Sequence, residues 1–360
     1  MTVFQHLDFD AHETVVFAHD EPSGLNAIIA IHSSALGPAA GGCRVWTYPT
    51  EGAALADALR LSSGMTFKNA AAGLDLGGGK AVIMLAEGQK KTPELMRAFG
   101  RAVERLNGAY TTAEDVGVTP ADMAEVRSQT RHVAGLATGA HASGDPSPVT
   151  ATGVFQSIRT GVREVAGRED LAGLHVAVQG LGHVGTALCD RLAAAGAQLT
   201  VADIAAARCE EARARYGATV VAPDRIHATD CDVFAPCALG GVLSEDTILE
   251  LRARLVAGAA NNQLARDDLD TVLAARGITY LPDFVVNAGG IMNVAAEIAG
   301  VDDPNWVKGK LDGLQERVTE ILRRAKTSGK TPQAVAVEMV RERLAAAGER
   351  SVASEPAPAT

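Results

Sequence analysis

Short apolar runs alternate with amphipathic segments along the chain, and this alternation predicts a mixed α/β fold. Residues 27–32 (AIIAIH) and 80–85 (KAVIML) have the length and apolar content of buried strands. Residues 51–61 carry apolar side chains three and four positions apart, which predicts a helix. Three later helices are predicted where Thr precedes Pro, because Thr caps free N–H groups and Pro fits the first helical position. They start at Thr92, Thr119 and Thr331.

The pattern changes at residues 143–148 (SGDPSP), where two prolines and a glycine predict a hinge between two domains. Beyond it strands and helices alternate regularly, which is typical of βαβ units in a parallel sheet. The predicted strands are 175–179, 198–202, 219–221, 232–235 and 255–257, and the predicted helices are 150–164, 183–194, 204–216, 244–251 and 266–275. Residues 305–346 are predicted to be helical, and 347–360 to be a disordered tail because they hold few large apolar residues.

Composition narrows the class of protein. The 360 residues suffice for about two domains, and 47% of them are hydrophobic, enough to bury a sizeable core. The net charge is −10 and no basic block is present, so neither nucleic acid nor an anionic membrane is an expected partner. The longest uncharged stretch, residues 22–43, is interrupted by Pro and Gly and does not read as a membrane helix.

Cysteine usage and the N-terminal residues predict a cytoplasmic protein. Residues 1–10 contain no apolar segment typical of a signal peptide. The number of cysteines is odd and no pair has CxxC spacing, which predicts reduced thiols rather than a disulfide framework or a zinc site, and no metal is expected. The five are Cys43, Cys189, Cys209, Cys231 and Cys237.

Residues 176–185 (VAVQGLGHVG) place the motif GxGxxG directly after a predicted strand and before a predicted helix. This context is typical of a dinucleotide-binding loop, in which the glycines permit a tight turn, close approach to the pyrophosphate and packing of the helix. Asp203 ends the next strand, 23 residues after Gly180. A carboxylate there bonds ribose hydroxyls and repels a 2′-phosphate, so NAD is favoured over NADP. The predicted cofactor-binding residues here are Gly180, Leu181, Gly182, His183, Val184, Gly185 and Asp203.

Residues 76–80 (LGGGK) suggest a phosphate-binding loop, but GxxxxGK[ST] requires Gly at position 74 and Ser or Thr at position 81, where Leu74 and Ala81 stand.

A hydride-transferring enzyme that acts on an amino acid needs groups other than a phosphate-binding loop. One lysine can hold the substrate carboxylate, and a second, buried beside the first charge, can act as a base near neutral pH. An aspartate can carry protons to and from nitrogen. Lys68, Lys80 and Asp115 are candidates, although isolated lysines are more often solvated surface charges.

At these residues the sequence resembles the amino-acid dehydrogenase superfamily and, within it, the leucine, valine and phenylalanine dehydrogenases, most of all the leucine dehydrogenases. The resemblance spans about residues 15–344 and rests on eight blocks in a constant order. They are 36–42 (LGPAAGG), 64–71 (GMTFKNAA), 73–80 (GLDLGGGK), 112–117 (TAEDVG), 180–185 (GLGHVG), 235–241 (APCALGG), 258–264 (GAANNQL) and 282–290 (PDFVVNAGG).

The resemblance implies reversible, NAD-dependent oxidative deamination of an L-amino acid to a 2-oxo acid. It implies that Lys68 binds the substrate carboxylate, that Lys80 is the catalytic base and that Asp115 assists proton transfer. It further implies that Gly41 and Gly42 line the carboxylate site. Asn262 is expected at the substrate or nicotinamide, and the remaining cofactor contacts are expected from Thr150, Cys237, Ala238 and Asn261.

The implied fold has an N-terminal α/β catalytic domain and a Rossmann dinucleotide-binding domain with a cleft between them, in a homo-oligomer. The expected boundaries are 1–146 with returning helices near 327–346 for the catalytic domain, and 147–326 for the NAD-binding domain.

The expected side-chain pocket is formed by Ala40, Ala113, Ile291 and Val294. Ala113 and the β-branched Ile291 favour leucine, valine or isoleucine, whereas the small Ala40 leaves room for phenylalanine or another aromatic amino acid. A methylene group decides only about 1–3 kcal/mol in such a pocket, so both substrate classes stay open. A non-catalytic NAD-binding sensor is the alternative of another class, and the presence of Lys68, Lys80 and Asp115 disfavours it.

Overall fold

The computed structural model describes residues 3–136, 138 and 141–354, and within them the chain forms two compact α/β units. The first unit comprises the residues up to Asp145, Asn293–Trp306 and the chain from Val340 onward; the second comprises Pro146–Met292 and Val307–Met339. The boundary between Asp145 and Pro146 falls within the hinge predicted at residues 143–148. No helix of the described residues is long and apolar enough to cross a membrane.

A five-stranded mixed sheet is the centre of the first unit. Its strands are β1 (Thr14–Asp20), β2 (Leu25–Ser33), β3 (Ala39–Trp46), β4 (Gly77–Met84) and β5 (Tyr110–Glu114). The strand order is β1-β2-β4-β3-β5, with β3 parallel to both β4 and β5. The predicted strand at 27–32 lies within β2 and is buried on both faces: Ile29 and Ile31 pack in one core cluster, Ile28 and Ala30 in another. This arrangement explains why the run is continuously apolar.

The helices of this unit are α1 (Glu51–Ala71), α2 (Pro93–Glu104) and α3 (Pro120–Arg127). The predicted Thr-Pro starts are confirmed, because Thr92 and Thr119 accept hydrogen bonds from the backbone N–H groups of Leu95 and Asp122. Helix α1 runs ten residues beyond its predicted end. It tolerates Gly64, around which a β-carbon would find open space.

The second unit contains a six-stranded parallel sheet in the order β11-β10-β9-β6-β7-β8, the strand order of a Rossmann fold. Its strands are β6 (His175–Gln179), β7 (Gln198–Ala202), β8 (Thr219–Val220), β9 (Val233–Pro236), β10 (Leu255–Val256) and β11 (Thr279–Tyr280). Its helices are α4 (Ser147–Ala166), α5 (His183–Ala194), α6 (Ala206–Tyr216), α7 (Glu245–Glu250), α8 (Leu269–Ala275) and α9 (Asp283–Val286). The strands and helices predicted from residue 150 onward are confirmed within a few residues.

Three last helices contribute residues to both units: α10 (Gly289–Ile298), α11 (Pro304–Ser328) and α12 (Pro332–Ser354). The observed division corrects the predicted return of residues 327–346, because Asn293–Trp306 also belongs to the first unit and the final crossing falls at Val340. The expected disorder of the tail is wrong for residues 347–354, which continue α12. Ala347 is buried, and Arg343 donates to the carbonyls of Ala70 and Leu74. Residues 355–360 lie outside the described part of the chain.

Candidate active site

The glycines before Lys80 belong to strand β4, which begins at Gly77. A β-carbon on Gly78 would lie 2.1 Å from Thr66 of α1, and one on Gly79 would lie 2.7 Å from the ring of Tyr110. The run is therefore explained by close packing on both sides of the strand rather than by a phosphate, in agreement with the failed phosphate-loop test. Because Gly78 and Gly79 have no side chains, helix α1 and the ring of Tyr110 lie directly against the segment that carries Lys80.

Lys80 and Asp115 form a buried ion pair. Lys80 lies in β4 and is only 6% exposed, while Asp115 directly follows β5. The Lys80 Nζ atom is 2.5 Å from Asp115 Oδ2. The two residues are 35 positions apart in sequence, and β3 between their strands aligns them, because Cys43 pairs with both Ala81 and Glu114, the neighbours of Lys80 and Asp115.

Asp115 is held in its charged form. Burial alone would raise the pKa of this carboxyl, but the positive charges of Lys80 and Arg44 outweigh burial and hold the pKa below its ordinary value. Arg44 is a second cation of the site that the sequence did not single out; its Nε donates to Asp115 Oδ2 at 3.3 Å. The adjacent Glu114 differs, because burial and the charges of Asp122 and Glu297 raise its pKa.

Gly41 and Gly42 lie in β3 between β4 and β5. A β-carbon on Gly41 would lie 1.9 Å from the carbonyl oxygen of Gly79, and one on Gly42 would lie 2.9 Å from Asp115 Cβ. The buried Tyr110 donates its hydroxyl to the Gly41 carbonyl at 2.6 Å. Packing thus requires both glycines, and Tyr110 fixes the orientation of the peptide that follows Gly41.

Lys68 lies in the last turn of α1 and is partly buried. The next residue, Asn69, is fully buried and donates to the carbonyls of Gly77 and Ala40, at 2.6 and 3.4 Å. Arg343 donates to carbonyls at the end of the same helix, which orders the turn that carries Lys68. The predicted pocket residues Ala40 and Ala113 lie on β3 and β5, where Ala40 pairs with Thr111 and Ala113 with Gly42. Val294 of the first unit and Ile291 of the second are both on α10.

In the second unit the GxGxxG segment connects β6 to α5, as the sequence predicts. Gly180 has φ +94°, a left-handed conformation that favours glycine, and its β-carbon would lie 2.8 Å from Ala238. A β-carbon on Gly185 would lie 1.9 Å from the Gly180 carbonyl oxygen, whereas Gly182 borders open space. The backbone at Gly182 is therefore open to close approach of a ligand at the N-terminus of α5.

Asp203 follows β7 and organises the glycine loop. Its side chain is 6% exposed and accepts the backbone N–H groups of Leu181 at 2.6 Å and Ala205 at 2.8 Å. Arg208 Nη1 lies 3.7 Å from Asp203 Oδ2. Arg208 lies five residues after Asp203 in sequence, and the first turn of α6 brings it back to the carboxylate.

A cavity of about 550 Å³ opens beside this loop. Five of its lining residues are predicted cofactor contacts: Gly180, Gly182, Asp203, Cys237 and Ala238. Sequence reasoning missed Gln179, Ile204, Arg208 and Leu239, which also line it. Ile204 and Leu239 are large apolar residues that are 94% and 84% exposed, and each follows the end of a strand, β7 and β9. Among the described residues, Gln179 Oε1 is buried with no hydrogen-bond partner.

These features fit a dinucleotide. The open glycine backbone suits a pyrophosphate, the carboxylate suits ribose hydroxyls, and the exposed apolar side chains suit the faces of a base. His183 and Val184 start α5, so their backbone N–H groups lie at the positive end of the helix, whereas the Leu181 side chain is buried.

Of the predicted nicotinamide contacts, Asn261 belongs to a small polar network around Asn287. Thr150 is 9% exposed, and a β-carbon on Gly290 would lie 2.8 Å from its hydroxyl, so the glycine makes room for Thr150. Asn262 adopts a left-handed φ of +51°. The Oδ1 atom of Asn261 accepts from Asn287 Nδ2 at 2.9 Å, and within the described residues Asn287 Oδ1 is buried without a partner. Asn287 was not predicted, although it lies in one of the blocks that carry the resemblance.

Cys237 lines the cavity, and burial of its thiol raises the pKa to about 11. A neutral thiol is a weak nucleophile, so Cys237 serves the cavity as a small wall residue. Across the described part of the chain, no group of three or more His, Cys, Asp or Glu side chains could hold a metal ion.

A parallel sheet in Rossmann order with a glycine loop, together with a buried lysine–aspartate pair on a separate α/β unit, defines a two-domain, dinucleotide-dependent dehydrogenase. Residues 12–132 match the model of the Glu/Leu/Phe/Val dehydrogenase dimerisation domain, and residues 201–354 match that of the Glutamate/Leucine/Phenylalanine/Valine dehydrogenases. The chain belongs to this family of NAD(P)-dependent enzymes and is an amino-acid dehydrogenase.

Relatives with three different substrates are similar to this chain over almost its whole length. The leucine dehydrogenase of Thermoactinomyces intermedius is 44% identical over 344 residues, which cover 96% of this chain and 94% of the relative. The phenylalanine dehydrogenase of the same organism is 42% identical, with coverage of 95% and 94%. The crystal structure of L-tryptophan dehydrogenase from Nostoc punctiforme superposes with a TM-score of 0.84 at 42% identity and covers 94% of this chain and 97% of that one.

Proposed function

We propose that this enzyme converts a branched-chain L-amino acid, water and NAD⁺ into the 2-oxo acid, ammonium, NADH and a proton, reversibly. In this proposal Lys68 binds the substrate carboxylate together with backbone N–H groups at Gly41 and Gly42. Bound NAD⁺ supplies the acceptor for the hydride that leaves the substrate α-carbon. Asn262 orients the substrate or the nicotinamide, and Thr150 and Asn261 hold the nicotinamide amide.

The observation that carries the proposal is the 2.5 Å contact between Lys80 Nζ and Asp115 Oδ2 in a buried site. The loss of hydride leaves an iminium carbon, which must be attacked by water. Lys80 in its neutral form removes a proton from that water, and Asp115 carries protons to and from the departing nitrogen. A protein that only sensed NAD would not need a buried cation and carboxylate in direct contact, because burial of such a pair is expensive.

In this proposal Ala113 and the β-branched Ile291 favour a branched-chain substrate, because both side chains take up space that an aromatic ring would need. Ala40, with its small side chain, supports the second candidate, an aromatic substrate. Relatives that act on phenylalanine and tryptophan give this candidate independent weight.

NAD is favoured over NADP by the Asp203 carboxylate, which is nearly buried and receives two backbone N–H groups. A 2′-phosphate placed against it would meet a fixed negative charge. Arg208 is already paired with that carboxylate and offsets this repulsion only in part.

We also propose a homo-oligomer in the cytoplasm. The family model that matches residues 12–132 is described as a dimerisation domain. All five cysteines are free, which fits a reducing compartment.

The test is steady-state NADH formation at alkaline pH with L-leucine, L-valine, L-isoleucine, L-phenylalanine, L-tryptophan and L-glutamate, with D-leucine and NADP⁺ as controls. The proposal expects the highest kcat/KM for a branched-chain substrate with NAD⁺. A lead for phenylalanine or tryptophan would replace the substrate by its alternative. An absence of turnover with every amino acid, in protein that binds NAD⁺, would overturn the enzymatic role of the site.

A further inference from the structure

Arg44 connects the lysine–aspartate pair to a second buried carboxylate. It lies in β3, and its side chain bridges two aspartates: Nε donates to Asp115 Oδ2 at 3.3 Å, and Nη1 donates to Asp57 Oδ2 at 2.7 Å. Lys80 Nζ contacts the same oxygen of Asp115. The Asp115 carboxylate is therefore held between two cations that come from neighbouring strands.

Asp57 in turn is held by several donors. It lies on α1, is 9% exposed, and accepts the Tyr48 hydroxyl at 2.6 Å and Arg60 Nη2 at 3.3 Å in addition to Arg44. Because Asp57 is fixed in this way, Arg44 cannot rotate without losing contact with both carboxylates. The guanidinium is a rigid fork and holds two partners at a defined spacing, which a lysine does less well.

We propose that Arg44, fixed by Asp57, is the positioning residue of the active site and holds the Asp115 carboxylate against Lys80 Nζ. This inference rests on the proposed function, because it gives Arg44 its role through Asp115. Neither Arg44 nor Asp57 is expected to touch substrate or cofactor.

The charges around Asp115 predict the direction in which each substitution changes protonation of the Lys80–Asp115 pair. The charged groups that act on it are Lys80 and Arg44, and Asp57 acts through Arg44. The thiol of Cys43 and the phenol of Tyr110 also face it, but burial raises both pKa values, so both groups stay neutral. Removal of the Arg44 charge favours protonation of the Lys80–Asp115 pair, whereas removal of the Asp57 charge disfavours it.

A cavity of about 580 Å³ reaches Arg44 from outside the sheet. Its lining includes Arg44, Asp57, Tyr48, Trp46, Arg60 and Val116. A small planar cation can therefore diffuse to the position of the guanidinium if the Arg44 side chain is shortened. This access makes chemical rescue possible.

The first experiment is the pH dependence of kcat/KM with the best substrate of the wild-type enzyme, for Arg44→Gln, Arg44→Lys and Asp57→Asn. Arg44→Gln is expected to move the acidic limb upward by about one pH unit. Arg44→Lys is expected to leave the limb closer to that of the wild type while lowering kcat. Asp57→Asn is expected to lower kcat, because Arg44 loses the carboxylate that fixes it, even though the loss of the Asp57 charge by itself would move the limb downward. Arg97 bridges Glu94 and Glu125 at 2.6 and 2.5 Å. Arg97→Gln is therefore the matched control, and it is expected to leave the acidic limb unchanged.

The second experiment adds millimolar guanidinium chloride to Arg44→Ala. Activity is expected to rise severalfold and to saturate, with no rise from sodium chloride or urea at the same concentration. Folded Arg44→Gln whose limb coincides with that of the wild type would overturn the inference, and so would folded Asp57→Asn with the kcat of the wild type. If the Arg44 variants do not fold, the kcat of Asp57→Asn decides alone.

Different results contradict the proposed function and the positioning role of Arg44. A wild-type enzyme that turns over no amino acid, or Asp115→Asn with full activity, contradicts the proposed function. A strong defect in Asp115→Asn combined with wild-type profiles in folded Arg44 and Asp57 variants contradicts only the positioning role.

Discussion

The ring of Tyr110 occupies the space in which a side chain on Gly79 would lie: an added β-carbon would be 2.7 Å from Tyr110 Cδ2. Tyr110 is fully buried and its hydroxyl is bonded to Gly41, so the ring cannot move aside cheaply. Gly79, the residue before Lys80, is thus held in place by Tyr110, which also orients the Gly41–Gly42 peptide in β3.

Gly79→Ala is therefore expected to lower the free energy of unfolding by about 1–3 kcal/mol, as for overpacking in a core. Gly64→Ala is the matched control: it lies inside α1 with open space around it and is expected to stabilise by about 0.5–1 kcal/mol. Urea denaturation of both variants measures the difference. Equal stability of the two would show that the contact with Tyr110 has no energetic weight.

Lys80→Ala is expected to reduce kcat by at least about a hundredfold, because proton transfer by a positioned base contributes that much. NAD binding, measured by fluorescence titration, is expected to persist. Lys91→Ala is the matched control, since Lys91 also pairs with an aspartate, Asp122, at the start of α3 and away from the Lys80–Asp115 pair. Near-normal turnover in Lys80→Ala would remove this residue from the role of base.

Asp203→Ala is expected to weaken NAD binding by about 1–3 kcal/mol, because the ribose loses its acceptor and the Leu181 N–H loses its partner. Asp190→Ala, which breaks an ion pair with Arg215 in the same unit, is expected to leave the affinity unchanged. Isothermal titration with NAD⁺ and NADP⁺ measures both effects. Unchanged affinity in Asp203→Ala would exclude it from the ribose site.

Ala113→Gly is expected to raise kcat/KM for phenylalanine relative to leucine by about tenfold, which is the effect of one carbon atom in an apolar pocket. Ala18→Gly, on β1 of the same sheet, is the control and is expected to leave the ratio unchanged. A constant ratio in Ala113→Gly would place the specificity elsewhere.

The Cys237 thiol is expected to react slowly with iodoacetamide at neutral pH, because a pKa of about 11 leaves a very small thiolate fraction. The reaction rate is expected to rise about tenfold per pH unit up to pH 9, since each step in pH increases the thiolate in proportion. Mass spectrometry of the modified peptide gives the rate, with glutathione as the reference thiol. A plateau below pH 9 would contradict the shielded environment.

Sequence reasoning was most successful where the determinant is local. The Thr-Pro pairs at Thr92 and Thr119 marked helix starts because the cap and the first turn are adjacent in the chain. The glycine loop at Gly180 and the strand that ends at Asp203 were likewise visible, since the spacing of a βαβ unit leaves a continuous pattern.

Features that depend on distant residues were missed. Strands β1, β3, β5 and β11 were not predicted. Strand β3 contains two glycines that are required by neighbours 38 and 72 positions away, Gly79 and Glu114, rather than by a local turn. Arg44 was missed because its two partners, Asp57 and Asp115, come together only when α1 and β5 are in place. The C-terminal helix was cut short at residue 346 because residues 347–360 hold few large apolar side chains, whereas Ala347 is buried and α12 continues to Ser354.

The passage of α10, α11 and α12 between the two units has a consequence for synthesis on the ribosome. The second unit consists of residues that lie before Val340, so most of it can emerge and fold while translation continues. The first unit includes the chain from Val340 onward and can be completed only after those codons have been read. A nascent chain stalled shortly before that point would hold the Lys80–Asp115 segment without the Arg343 contacts that end helix α1.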